Sequence, residues 1–415
     1  VGSEMCIRDS TNTIKIMKKL FSFLSLFLFF YANANISKQI KISDTLKIEE
    51  KKPIPPTEPL RLFNLDGLFR GAAVSDNNKN NNKDNANYLL LEEARLNFQG
   101  AINEDVSYRV RFRLNRTNAQ NSLENSSAAL DYMYLEYKFG KNRNWKATLG
   151  KQYAMMGSYE LVIHPIYEYI YSDYLSTSIA NVFVMGGKLS YNINPQHSFS
   201  FMLHNTTNNT FLQHLKNNGA VSNGLETAKT PMGSYFTWNG SFLDKKIQTQ
   251  WSYNVSQFAQ GYYSHTFSFG NQLKTDKQWL YLDFMYSTME ADFPLIVSTA
   301  QSKIEGLTTG NYHLGKNSIY KTMTLRFEQK LFPKWDFVIK GSLDTAGNKD
   351  IGYNFRKNYS YYVALQHKPL PKQDLCFYLG YIGKTTTYEH TLPTEQFNRL
   401  GLGLYYTIPI LKQNK

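Results

Sequence analysis

The sequence predicts an all-β protein, a transmembrane antiparallel β-barrel of about sixteen strands. Three observations carry that prediction. From Arg61 to Ile408 apolar and polar residues alternate with period two, and no helical stripe outlasts a turn or two. Most alternating segments are nine to thirteen residues long, whereas soluble strands average about 5–6 and tilted membrane strands need about 9–11. The connections between them alternate between short turns and long polar loops, the layout of short periplasmic turns and long extracellular loops.

Composition agrees by exclusion. Thirty Tyr and 27 Phe in 415 residues are too many for a disordered chain. Two Cys cannot form a disulfide scaffold. A polytopic helical protein would need several apolar runs of about 20 residues, and only one run, near the amino terminus, approaches that. A mean hydropathy of −0.44 is what strands with one wet face and one lipid face average to.

The elements follow in chain order. Residues 1–16 read as a non-native stretch upstream of Met17. Lys18 and Lys19, the apolar run Leu20–Tyr31 and Ala32-Asn33-Ala34 then predict a cleaved signal peptide over 17–34. Residues 35–59 form a polar periplasmic linker ending in Lys51-Lys52-Pro53-Ile54-Pro55-Pro56. Residues 60–415 are the barrel domain. Processing removes four cations and two anions, so the net charge falls from +13 to +11, and Cys376 remains the only cysteine. The positive excess suits an anionic surface or solute, and export argues against nucleic acid.

The predicted strands are Arg61–Val74, Tyr88–Ala101, Val106–Arg116, Leu130–Phe139, Asn144–Gln152, Val182–Asn192, His197–Asn205 and Gly233–Phe242. Lys246–Ser256, Tyr262–Gln272, Lys277–Thr288, Ile319–Leu331, Lys334–Asp344, Asn358–Lys368, Asp374–Lys384 and Gln396–Ile408 complete the set. Lys246–Ser256 is the clearest, with Ile247, Thr249, Trp251, Tyr253 and Val255 on one face and Gln248, Gln250, Ser252 and Asn254 on the other. Every even strand is followed by a turn of two to five residues. Nearly every odd strand is followed by a loop of eleven to thirty, Gln257–Gly261 being the exception. Tyr137, Phe139, Trp145, Trp335, Phe337, Tyr405 and Tyr406, at strand ends, suit the interfacial girdles.

Within this frame Leu91–Lys151 carries a recognisable pattern. Ala94, Arg95, Leu96, Phe98 and Gly100 form one strand, and Asp105, Ser107 and Tyr108 an acidic turn. Tyr134, Glu136 and Tyr137 follow, then Gly150 and Gln152 at a strand end. The stretch resembles the phosphate-selective porin O and P family of Gram-negative outer membranes. That resemblance implies a sixteen-stranded, usually trimeric pore whose third loop folds into the lumen.

The residues themselves suggest what such a lumen offers. Arg109, Arg111 and Arg113 share a face at about 6.8 Å spacing, and the intervening apolar residues place that face in the lumen. Across the turn at Ile102–Asp105, Arg95 comes opposite Arg111 or Arg113. These four, with Glu93, Glu136 and Lys138, are the candidate pore wall. The arginines are either an electropositive track for phosphate or carboxylate groups, or partners of Glu93 and Glu136 that tie the wall together. The third loop, Tyr153 to Asn181, has no Lys or Arg, and carries Glu160, Glu168, Asp173, His164 and six Tyr. Tyr159, Glu160, His164, Tyr167, Glu168, Tyr169 and Asp173 are the candidate constriction. An acidic loop facing a basic wall would set up the transverse field of a general diffusion pore. Its tyrosines could alternatively form a sugar-stacking slide, or simply pack the loop on the wall.

No catalytic, metal or cofactor site is expected. Gly310–Lys316 matches the start of a phosphate-binding loop, but Asn317 replaces the magnesium-binding hydroxyl and no helix follows. His164, His204, His265, His313, His367 and His390 lack metal-ligand spacing. The expected function is therefore passive diffusion of small hydrophilic solutes and ions with a mild anion preference, phosphate among them. The expected partners are outer-membrane lipids and two further copies in a homotrimer. The alternatives are a specific phosphate or sugar-phosphate channel and, from another class, a surface adhesin or outer-membrane hydrolase using the long loops.

Overall fold

The computed structural model describes residues 62–413, apart from 81–82, 118–122, 177–178, 180, 371–372 and 390–391. The expected upstream stretch 1–16, signal peptide 17–34 and linker 35–59 lie outside the described residues.

Eighteen strands are present among the described residues. They are β1 (Leu62–Lys79), β2 (Ala86–Ala101), β3 (Val106–Arg113), β4 (Leu130–Phe139), β5 (Trp145–Tyr153) and β6 (Phe183–Asn192). Next come β7 (His197–Asn205), β8 (Ala220–Val221), β9 (Met232–Phe242), β10 (Ile247–Ala259), β11 (Tyr262–Lys274) and β12 (Gln278–Ala291). The last are β13 (Tyr312–His313), β14 (Lys316–Phe332), β15 (Trp335–Asn348), β16 (Gly352–His367), β17 (Cys376–Tyr388) and β18 (Glu395–Leu411). All except β8 and β13 form one closed antiparallel barrel of sixteen strands, sealed by β1 pairing with β18. Closure gives every strand two neighbours and leaves no edge, as hydrocarbon surroundings require.

Each predicted strand has its counterpart, but several run further than the alternation suggested. β1 continues to Lys79, β15 to Asn348 and β17 to Tyr388. Consequently β15 and β16 are joined by three residues, 349–351, where a long loop was expected. Hairpin pairing satisfies the backbone above the membrane whatever the side chains are, so these strands outlast their apolar pattern. Among the described residues, long connections remain at 114–129, 154–182, 206–231 and 292–315.

The outer face is apolar. Leu135, Leu149, Phe201, Phe236, Leu325, Ile339, Leu365, Leu379 and Leu402 are all exposed on it. Near the short-turn rim aromatic rings follow one another round the barrel, from Phe139 to Trp145 (6.1 Å), Trp145 to Tyr191 (4.6 Å) and Trp238 to Trp251 (5.1 Å). Tyr405 does not belong to this girdle. It is fully buried inside the barrel and meets Tyr167 of the third loop edge-on at 5.3 Å.

The loops contain short helices that period-two reading could not register: α1 (Tyr159–Val162), α2 (Asp173–Ser176), α3 (Phe211–Asn217) and α4 (Ile296–Ile304). α3 and α4 belong to the loops that also carry β8 and β13, which pair in parallel. Phe211, Leu215, Leu225, Phe258, Phe293 and Leu295 form a common core beneath them. Asp292, fully buried, accepts from Ser298 N and Oγ at 2.6 Å and fixes the start of α4. Gly310–Lys316 runs through β13 straight into β14, so nothing there resembles a phosphate-binding loop.

Candidate functional site

The arginine wall comes from β2 and β3. Arg95 pairs in register with Arg113, and Asn97 with Arg111. What organises the wall is a residue that the alternation assigns to lipid. Met133, Leu135 and Tyr137 point outward from β4, and Asp131 shares their parity. The ladder shifts there: Arg111 pairs with Tyr132 and Phe112 with Leu130, so Asp131 is the extra residue of a β-bulge. The bulge turns its carboxylate into the lumen. Oδ2 receives Arg95 Nη1 at 2.7 Å and Arg111 Nε at 3.0 Å, and Oδ1 receives Arg113 Nε at 2.7 Å.

A second bulge in β2 does the same for Glu92. Arg70 pairs with Glu93 and Gly71 with Leu91, leaving Glu92 as the extra residue. Its carboxylate lies 2.8 Å from Arg70 Nε and 3.4 Å from Arg399 Nη1. Glu93 meets Arg95 at 2.7 Å. Arg109 pairs with no carboxylate among the described residues; its Nε donates to Asn97 Oδ1 at 2.8 Å and its guanidinium lies 4.9 Å from the Tyr132 ring. Two expected wall members sit elsewhere in the electrostatics. Glu136 pairs with Lys146 at 3.2 Å rather than with an arginine. Lys138 is exposed at the short-turn rim, because β4 ends one residue later.

The third loop enters the barrel and lies along the opposite wall. Gly157 is where it comes closest: a Cβ there would stand 2.5 Å from both Gln250 O and Ser268 O. Thr237 donates to Met155 O at 2.7 Å, and Ser252 Oγ accepts from Gly157 N at 2.8 Å. Asp283 accepts from Ser158 Oγ, Tyr159 N and Glu160 N at 2.7–3.0 Å. At the far end Arg70 Nη1 donates to Pro165 O, Ile166 O and Glu168 O at 3.1, 2.9 and 2.8 Å. The loop thus covers the inner wall from β9 round to β1 and leaves β2 to β5 bare.

This arrangement corrects the expected transverse field. Glu160, Glu168 and Asp173 are buried and face away from the arginine wall. Lys340 Nζ stands 2.6 Å from both Glu160 Oε1 and Glu168 Oε2. Arg326 approaches Glu168 at 3.5 Å, and Arg356 and Lys384 pair with Asp173. Burial pushes the Asp173 carboxyl up, and Arg356 and Lys384 more than reverse this, leaving it below its ordinary range. A lowered carboxyl stabilises the fold above its unfolded pKa, and the contribution is lost only as pH falls through the depressed value. The tyrosines pack the loop rather than forming a slide. Tyr169 meets Tyr362 and Tyr378 at 5.1 and 4.6 Å, and Tyr167 donates to Asp374 at 2.9 Å. Tyr159 and Tyr174 are buried.

What remains open is a cavity of about 780 Å³ between the two faces. Arg95, Arg109, Arg111, Arg113, Arg116 and Lys151 line one side, and Leu161, Val162, Ile163, His164, Pro165 and Leu175 the other. A second cavity, towards the short-turn rim, also touches Val162, which therefore stands where the two meet. Of the constriction candidates, Tyr159 lines the second cavity and His164 the first, beside the arginines. Burial, then the charges of Arg111, Arg95 and Arg109, hold its imidazole down to about 3. A lowered His stays neutral in the fold, and stability is lost as pH drops below the free value of about 6.5. Ion selectivity is therefore expected to stay flat between pH 5.5 and 7.5 in bilayer recordings. A titration step near pH 6.5 would contradict this placement of His164.

Comparison with known proteins fits this geometry. The model of the family described as phosphate-selective porin O and P matches residues 63–408. Among solved structures, the outer membrane channel DcaP of Acinetobacter baumannii is similar at 12% identity, with a TM-score of 0.56 over 83% of this chain and 97% of that one. The anion-selective porin of Comamonas acidovorans is similar at 9% identity, with a TM-score of 0.55 over 84% and 100%. OmpF of Salmonella typhi, in complex with daunomycin, gives 10% and 0.54 over 83% and 97%. At such identities these likenesses speak for the fold alone. No curated protein sequence matches the chain. A family match over most of its length, on a closed sixteen-stranded barrel with an inserted third loop, means that the chain belongs to the phosphate-selective porin O and P family and forms an outer-membrane channel.

Proposed function

We propose that the channel passes small solutes by diffusion with a preference for anions, set by the bare arginine wall on β2 and β3. One observation carries this reading: the third loop's carboxylates are neutralised on the far wall, so no acidic face opposes the arginines across the passage. Asp131 and Glu93 offset part of the wall's charge, and Arg109 is left without a carboxylate among the described residues. Assembly as a homotrimer belongs to the same reading and rests on family membership.

Reversal potentials across a potassium chloride gradient test it. The wild-type channel is expected to prefer chloride. Arg109→Gln should lower the chloride-to-potassium permeability ratio roughly two- to threefold, the scale of one unit charge at about 7 Å in a wet lumen. Cation selectivity in the wild type would sink the reading. A phosphate-selective filter would surround the anion with donors. Here the cationic donors lie on one side of the passage, which supports general anion preference over phosphate specificity.

A further inference from the structure

The two faces of the passage differ in chemistry as well as in charge. On one side Asp131 engages both Arg111 and Arg113 through Nε, which leaves their terminal nitrogens without an ion pair among the described residues, those of Arg113, 13% exposed, being the more open to a ligand. Both guanidiniums are braced by rings, Arg111 at 4.0 Å from Tyr132 and Arg113 at 5.3 Å from Phe183. Forked donors held in this way suit a planar carboxylate. On the other side the loop presents an apolar strip, Leu161, Val162, Ile163 and Leu175, flanked by the uncharged His164, Tyr171 and Ser176, and the loop sequence supplies no Lys or Arg. Above them His214 stacks on Phe293 at 4.1 Å, and both reach the cavity.

We propose that this passage is a binding site for small organic carboxylates with an apolar body, aryl or short-chain alkyl, in preference to inorganic phosphate. The carboxylate lies on Arg111 and Arg113, and the hydrocarbon lies on the loop face around Val162. Phosphate entering the same space turns part of its hydration shell towards Leu161, Val162 and Leu175, which cannot hydrogen-bond it, and desolvating a charge without a partner is costly. An apolar body inverts that penalty, because it removes hydrocarbon from water on both partners. The volume of about 780 Å³ lies in the range that accepts a small organic molecule. The proposal rests on the anion-channel reading above and adds to it the class of solute.

Single-channel recording of the full protein tests the two separately. Benzoate, acetate and inorganic phosphate are added in turn at constant ionic strength, and interruption of the chloride current is titrated. Benzoate is expected to interrupt at a concentration roughly tenfold below that of acetate, the scale for burying one ring face. Phosphate should be no more potent than acetate. Val162→Ser should bring benzoate to within about threefold of acetate by removing half of that apolar contact, and Arg109→Gln should weaken both. Equal potency of benzoate and acetate, phosphate acting below benzoate, or an unchanged benzoate advantage in Val162→Ser overturns the proposal. If the reversal potential still favours chloride in that case, the anion-channel reading survives. A reversal potential favouring potassium removes both.

Discussion

Replacing Lys340 by Met is expected to open the channel. Its ammonium is fully buried between Glu160 and Glu168, 2.6 Å from each, and also donates to Ile170 O at 2.7 Å. Without it two carboxylates remain buried in the seated loop, and Arg326 reaches only one of them. Breaking a buried ion pair by removing one partner costs about 3–5 kcal/mol. That penalty falls on the seated loop alone, because an unseated loop returns its carboxylates to water. The population of unseated loops should rise by roughly two to four orders of magnitude relative to wild type. The readout is single-channel conductance: larger steps and more current noise. Adding Glu160→Gln and Glu168→Gln should restore much of the wild-type conductance, since uncharged replacements of a whole ion-pair group are often close to neutral. Unchanged conductance in Lys340→Met would show that this network does not hold the loop.

Asp131→Asn is expected to have the largest effect on selectivity. One carboxylate accepts from Arg95, Arg111 and Arg113, so its loss leaves three guanidiniums facing one another. Arg95 retains Glu93, and Arg113, on the lumen surface, can turn towards water. Arg111, with its side chain 3% exposed, has neither recourse. The barrel should lose about 3 kcal/mol, read as a lower temperature for the heat-induced gel shift of the folded form. The chloride-to-potassium permeability ratio should rise by about threefold, in the direction opposite to Arg109→Gln. A fall in that ratio would mean that the arginines collapse away from the passage when Asp131 is neutralised, and the track would then lose its structural basis.

The two networks also show how far the sequence could be read. The number and order of the barrel strands and the face of most side chains away from the bulges were legible, because lipid on one side makes a one-residue slip intolerable. Arg95, Arg109, Arg111 and Arg113 could be placed on one wall for that reason. The partners could not. Asp131 has the parity of a lipid-facing residue, and only the bulge admits it to the lumen. A charge at an apparent lipid position in a barrel strand is itself a signal of such a bulge, since it is costly there. Arg70 and Asp283 hold the loop through its backbone, and backbone contacts leave no mark on the loop's composition.

The third loop divides what the sequence determined from what only the tertiary structure decided. Its charges are written in the chain: Glu160, Glu168 and Asp173, without a compensating Lys or Arg. Their direction is not. Cations from β14 to β17, remote in sequence, draw all three carboxylates onto the far wall and leave Leu161, Val162 and Ile163 to face the arginines. Periodicity is local and is fixed by the solvent on each side of a strand, so the sequence alone carries the barrel. The neutralisation of a charge depends on which strands closure brings across the lumen, and that is a property of the folded ring.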